Sequence, residues 1–141
     1  MSDLTARLHH LALTVHDLDG SVEWYGRVFG IRPQLDVPHQ GGVGRLLADD
    51  AWQLLIVLHR HDATTGELFQ ETRPGLDHIG LVVATRDDLV AWQSHLEALG
   101  VTRAEAADRP LTQAPIADGA YGSVLVLRDP DNIQLELFVP A

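Results

Sequence analysis

Leu8-His9-His10-Leu11-Ala12-Leu13-Thr14-Val15 returns in altered form as Leu76-Asp77-His78-Ile79-Gly80-Leu81-Val82-Val83. From residue 10 to residue 78 the shift is 68 positions, and at that shift Val22 falls on Val90 and Trp24 on Trp92. Gly30-Ile31 and Gly100-Val101 close the two segments, offset by two further residues. A second echo links Asp50-Ala51-Trp52-Gln53-Leu54 to Asp131-Asn132-Ile133-Gln134-Leu135, each opening an apolar run late in its half. Similarity at a fixed period signals duplication of a structural unit. A unit of about 60–70 residues buries too little apolar surface to stand well alone, so the two halves are expected to form one domain.

Each half reads β-α-β-β-β. Residues 8–15 alternate, with Leu11, Leu13 and Val15 on one face and His10, Ala12 and Thr14 on the other, the period of a half-buried strand. Asp17 and Asp19 offer N-cap oxygens to a helix over 21–29, where Val22, Tyr25 and Phe29 recur at helical spacing. Gly30 and Pro33 end it. Strands are predicted at 34–37, 45–48 and 53–60, separated by turn residues, with Gly41-Gly42-Val43-Gly44 read as a hairpin. That stretch lacks the Lys-Ser/Thr of a phosphate loop. The second half gives a strand at 78–84, a helix at 87–99 striped by Leu89, Trp92, Leu96 and Leu99, and strands near 101–106, 121–128 and 133–139. Arg128-Asp129-Pro130-Asp131-Asn132 is a tight turn with Asn132 left-handed. Residues 61–75, His61 among them, form a linker, and 108–119 a loop able to cover a site. The fold class is α+β: a first module over about 6–60 and a second over about 76–141, pairing into a curved mixed sheet around a cavity.

Strand parity selects the candidate site. The aliphatic faces must cover the helices, so His10 and His78 point the other way. In the last strand Ile133, Leu135, Leu137 and Val139 take the helix side, leaving Gln134, Glu136 and Phe138 with the histidines. If the sheets pair, two imidazoles and one carboxylate line a common surface. Such a 2-His-1-carboxylate set suits Fe(II), Mn(II), Zn(II), Ni(II) or a related ion and leaves coordination positions open for chemistry. Tyr121 is a candidate hydrogen-bond donor to a substrate oxygen. Trp52 is assigned to the core ahead of a ligand-stacking role. His9, His16, His39 and His95 have no partner visible in the sequence.

Composition narrows the setting. Cysteine is absent, so disulfides, thiolate zinc sites and cysteine nucleophiles are excluded. The net charge of −10 repels phosphate backbones and anionic membranes, which argues against nucleic-acid and membrane partners. With no apolar run near the roughly 20 residues of a spanning helix and no signal core, the expected location is the cytoplasm.

The quoted segments, with Trp24-Tyr25, Phe29-Gly30 and Arg128-Asp129-Pro130-Asp131-Asn132-Ile133-Gln134-Leu135-Glu136-Leu137, resemble the vicinal oxygen chelate superfamily. That superfamily includes glyoxalase I, bleomycin-resistance proteins, fosfomycin-resistance enzymes and extradiol dioxygenases. The resemblance implies two βαβββ units around a cavity, commonly in a homodimer. It places His10, His78 and Glu136 on the family's metal positions, the metal chelating neighbouring oxygens of a small-molecule substrate. Glyoxalase I-like members carry a glutamate in the last strand of both halves. Aligning Gln53-Leu54-Leu55 with Gln134-Leu135-Glu136 puts Leu55 at the first of these, and leucine neither ligates nor abstracts a proton. Gln53 and His59 share Leu55's parity and are candidate fourth ligands, His59 ahead of Gln53. The expected function is a metal-dependent lyase, isomerase or extradiol-type dioxygenase, with Glu136 and Tyr121 as catalytic candidates. The alternative is a non-catalytic drug- or antibiotic-binding protein of the bleomycin-resistance type.

Overall fold

The structure is a computed structural model and describes residues 4–101 and 115–141. The chain divides into two compact units, one running to Gly66 and the other beginning at Glu67.

The first unit contains β1 (Leu11–Thr14), α1 (Leu18–Phe29), β2 (Arg32–His39), β3 (Gly42–Ala48) and β4 (Leu55–His61). Its four-stranded sheet has the order β1-β4-β3-β2. β1 runs parallel to β4, and β4-β3-β2 is an antiparallel meander. Helix α1 starts where Asp17 accepts the N–H of Gly20 and stops where Gly30 takes φ 69°, donating its N–H to Gly26. Trp24, Tyr25 and Val28 of its apolar face are buried, as are Leu13, Leu47, Ile56 and Leu58 of the sheet.

The second unit contains β5 (Ile79–Val82), α2 (Arg86–Ala98), β6 (Ala117–Gly119), β7 (Gly122–Arg128) and β8 (Gln134–Pro140). The sheet order β5-β8-β7-β6 repeats the first, with β5 parallel to β8. Thr85 caps α2 in a reciprocal capping box with Asp88. Leu89, Leu96, Leu125, Leu127, Leu135 and Leu137 are all buried. In the β7–β8 turn the buried Asp129 accepts the N–H groups of Asp131 and Ile133, at 2.9 and 2.8 Å, and Asn132 sits at φ 69°. Chain preceding β5 is tied to this turn. Phe69 donates its N–H to Asp131 O, Asn132 Nδ2 donates to Phe69 O, and Arg128 pairs with Glu71.

Several expected boundaries move, each for a local reason. The first strand of each module spans four residues, because the parallel ladders begin at Leu11↔Ile56 and Ile79↔Leu135. His10 and His78 therefore immediately precede their strands. Gly30 alone ends α1. Pro33 lies within β2, an edge strand with a register shift between Pro33 and Leu35, which is where a residue lacking an N–H is tolerated. Only Gly41, at φ 83°, turns the β2–β3 hairpin; Gly42 and Gly44 belong to β3. His61, expected in the linker, closes β4 opposite Gly42. Trp52 is not a core residue: it sits at φ 55° in a turn and is half exposed. Residues 117–119, expected as loop, pair with β7. The strand expected near 101–106 and most of the covering loop lie outside the described residues.

Candidate metal centre and its surroundings

Residues paired side by side on neighbouring strands share a face. In the second unit Gly80 lies opposite Glu136, and Glu136 opposite Val126. His78 stands two residues before Gly80 and presents its imidazole toward the carboxylate, with Nε2 3.4 Å from Glu136 Oε2. Two donors held about 2.0–2.2 Å from one ion at bond angles of roughly 90–109° are themselves about 2.8–3.6 Å apart, so this pair fits adjacent ligands of a divalent cation.

The other ring nitrogen is committed. His78 Nδ1 lies 2.6 Å from Asp77 Oδ1. An ionised carboxylate only accepts, so Nδ1 is the donor to Asp77 and Nε2 is the nitrogen turned toward Glu136. Between Nε2 and the carboxylate a positive charge is favourable, whether a proton or a metal ion supplies it. Carboxylate–imidazole–metal chains of this type orient the ring and raise its basicity. Glu136 is half-buried and accepts a hydrogen bond from Gln134 Nε2 at 3.1 Å, which fixes its other oxygen.

Beyond the carboxylate the face becomes apolar. Phe138 pairs with Val82, which is 77% exposed, and stacks on Tyr121 with ring centroids 6.1 Å apart. Tyr121 precedes β7 rather than opening it and is mostly exposed. Among the described residues a Cβ built on Gly80, the partner of Glu136 on β5, would meet nothing within 4 Å.

In the first unit His10 lies just ahead of β1, and its Nδ1 is 2.9 Å from that of His9. Register corrects the assignment of the missing glutamate. Leu11 pairs with Ile56 as Ile79 pairs with Leu135, so Val57, not Leu55, is the counterpart of Glu136. The parity is unchanged, and valine, like leucine, offers no ligand. Gln53 lies in the turn before β4, where its N–H goes to Asp49 Oδ1. His59 lies opposite Thr14 and Gly44. Its ring adjoins His39 and His61, with centroids 5.1 and 6.2 Å away. Burial first, then the neighbouring imidazoles of His39, His61 and His10, hold its pKa below the ordinary value of 6.5, which favours the neutral ring. This imidazole cluster went unseen in the sequence. The signal was the alternation His59-Arg60-His61 on a strand, with Gly42 and Gly44 beside it.

Among the described residues, no three His, Asp or Glu side chains are gathered closely enough around one point to hold an ion as they stand. No helix among them is long and apolar enough to cross a membrane.

Two βαβββ units, each with its first and last strands parallel, and one His–Glu pair at the start of the parallel ladder of the second, define a recognisable class. The chain belongs to the glyoxalase/bleomycin resistance protein/dioxygenase superfamily, whose family model matches residues 7–137. It is similar to a glyoxylase/bleomycin resistance protein/dioxygenase domain from Frankia sp. EAN1pec, with 30% identity, a TM-score of 0.83, and coverage of 98% of this chain and 100% of that one. It shares the fold of a glyoxalase family protein from Enterococcus faecalis, with 15% identity, TM-score 0.69, and coverage of 94% and 96%. It also shares the fold of a mutant of the fosfomycin resistance protein FosX from Listeria monocytogenes, complexed with Mn(II) and 1S,2S-dihydroxypropylphosphonic acid. Identity there is 17%, the TM-score 0.65, and coverage 98% and 95%. Comparison with curated proteins gives no match.

Proposed function

We propose that the protein is a metal-dependent enzyme acting on a small molecule with adjacent oxygens, with His10, His78 and Glu136 as the metal ligands. The observation that carries this reading is the 3.4 Å approach of His78 Nε2 to Glu136 Oε2, with the far ring nitrogen anchored on Asp77. His10 is assigned as the third ligand because it precedes β1 as His78 precedes β5. His59 has His39 and His61 as its ring neighbours and is proposed as a member of their group rather than of this set. A bound divalent cation supplies Lewis acidity for a developing enolate or alkoxide, or an open position for a diol. Asp77 holds the His78 tautomer, Gln134 holds the Glu136 carboxylate, and the open space at Gly80 admits the substrate. Tyr121 is the proposed hydrogen-bond donor to a substrate oxygen. The FosX complex with Mn(II) and a dihydroxy phosphonate supports this class of ion and ligand. The reading includes a homodimeric assembly and a cytoplasmic location.

The exposed Val82 and the stacked Tyr121–Phe138 pair favour a second reading, non-catalytic capture of an aromatic drug on the same apolar face. Titration of tag-free protein with Mn(II) separates the two. Binding lost in both His78→Ala and Glu136→Gln supports the enzyme. Metal uptake that neither substitution changes, or none at all alongside tight binding of an aromatic ligand, refutes it.

A further inference from the structure

The geometry points to a second metal site, built from His39, His59 and His61 on the first sheet, that takes one divalent transition ion of the kind imidazole prefers, such as Zn(II). His59 and His61 alternate along β4 and so share a face, and His39 joins them from β2 across β3. The third strand makes room for the rings. A Cβ on Gly44 would fall 2.5 Å from His59 Cε1, and one on Gly42 would run into the Arg60 carbonyl oxygen and fall 2.8 Å from His39 Cε1. Glycine at these two positions is thus what lets imidazoles lie against the backbone.

The nitrogen chemistry of the cluster suits a cation. His39 Nδ1 lies 3.1 Å from the carbonyl of Gln40, which only accepts, so Nδ1 is the donor there and Nε2 is the nitrogen left for an ion. That Nε2 is buried and has no hydrogen-bond partner. Such an atom is costly unless something positive or donating meets it. Rings bound to one ion through nitrogen at about 2.0–2.1 Å have centroids about 4.5–5.5 Å apart for angles of roughly 90–120°. His39 stands 5.1 Å from both His59 and His61, inside that range, and only the 6.2 Å between His59 and His61 exceeds it. His61 is exposed at the end of its strand, so its ring is free to move toward the other two by a change at χ1, the torsion that displaces the whole ring. Three imidazoles leave a fourth position for water. The acidic chain draws cations toward it.

The test is a Zn(II) titration of tag-free, full-length protein with a competing chelator, backed by the visible spectrum of the Co(II) form. Wild type is expected to bind one equivalent that His39→Ala and His61→Gln each weaken at least tenfold while His78→Ala leaves it intact. Tetrahedral Co(II) absorption should disappear with the same two substitutions. His61→Gln alters an exposed side chain and keeps the sheet. If Zn(II) uptake and the Co(II) spectrum are unchanged in His61→Gln and His39→Ala, the second site does not exist. If His78→Ala alone abolishes all uptake, the second site is equally refuted while the centre at Glu136 stands. If one equivalent survives His78→Ala and is lost with His61→Gln, the second site holds.

Discussion

Asp77 is the residue through which the candidate centre is most cleanly tested, because it touches no ion itself. Its carboxylate accepts the Nδ1 proton of His78 at 2.6 Å, which orients the ring and makes Nε2 the free donor. Loss of such an outer carboxylate lowers metal affinity by about 10–100-fold in comparable centres. Here Asp77 is 69% and His78 42% exposed at the side chain, so water screens the pair and the effect belongs at the lower end. For Asp77→Ala we expect roughly a tenfold weaker His78-dependent equivalent, about 1.4 kcal/mol. Asp77→Asn keeps an acceptor for the ring proton but not the charge, so its loss should be smaller than that of alanine. The assay is Zn(II) competition against a chromogenic chelator at fixed pH and two salt concentrations, with His78→Ala as the baseline. Raising the salt should shrink the difference between Asp77→Asn and wild type. An Asp77→Ala protein that binds the His78-dependent ion as tightly as wild type would show that the ring is oriented by something else.

Three further outcomes concern the scaffold. Leu58→Ala, fully buried on the helix side of β4, should cost about 2–5 kcal/mol in urea unfolding; a loss under 1 kcal/mol would mean that site collapses freely. Asp129→Ala strands two turn N–H groups and should cost about 1–3 kcal/mol, with the damage confined to the second unit in hydrogen exchange. Hydrogen bonds from Arg86, then Ser123, lower the Asp118 pKa from 3.8 to about 2. A lowered folded-state pKa gives stability present above the unfolded value and lost as pH falls. The advantage of wild type over Asp118→Asn should therefore be constant above about pH 5 and shrink between about pH 4 and pH 2. An advantage that persists to the acid end in thermal melts contradicts this.

The duplicated βαβββ plan was legible because the repeat carries its histidines and tryptophans in register, and parity alone assigned His78 and Glu136 to one face. What stayed hidden depended on pairing partners. Leu55 and Val57 have the same parity, and only the Leu11↔Ile56 ladder says which stands for Glu136. Gly42 and Gly44 looked like turn residues because glycine's turn chemistry is local. Their actual role, admitting the Arg60 carbonyl and the His39 and His59 rings close to β3, depends on neighbours in other strands. His61 was misplaced for the same reason: nothing in its immediate sequence announces that Gly42 extends the ladder to meet it. Trp52 looked apolar enough for the core, but the positive φ of its turn turns it toward solvent.

In each module the earliest strand is zipped to the latest, with two other strands and a helix made in between. A ribosome must therefore make β8 before Gly80 can find Glu136, and closing so long a loop is entropically slow. Premature release or C-terminal trimming would remove the strand that β5 leans on along with the carboxylate. An intact second module is thus a precondition for the proposed centre at Glu136, whereas the imidazole cluster of the first module does not depend on it.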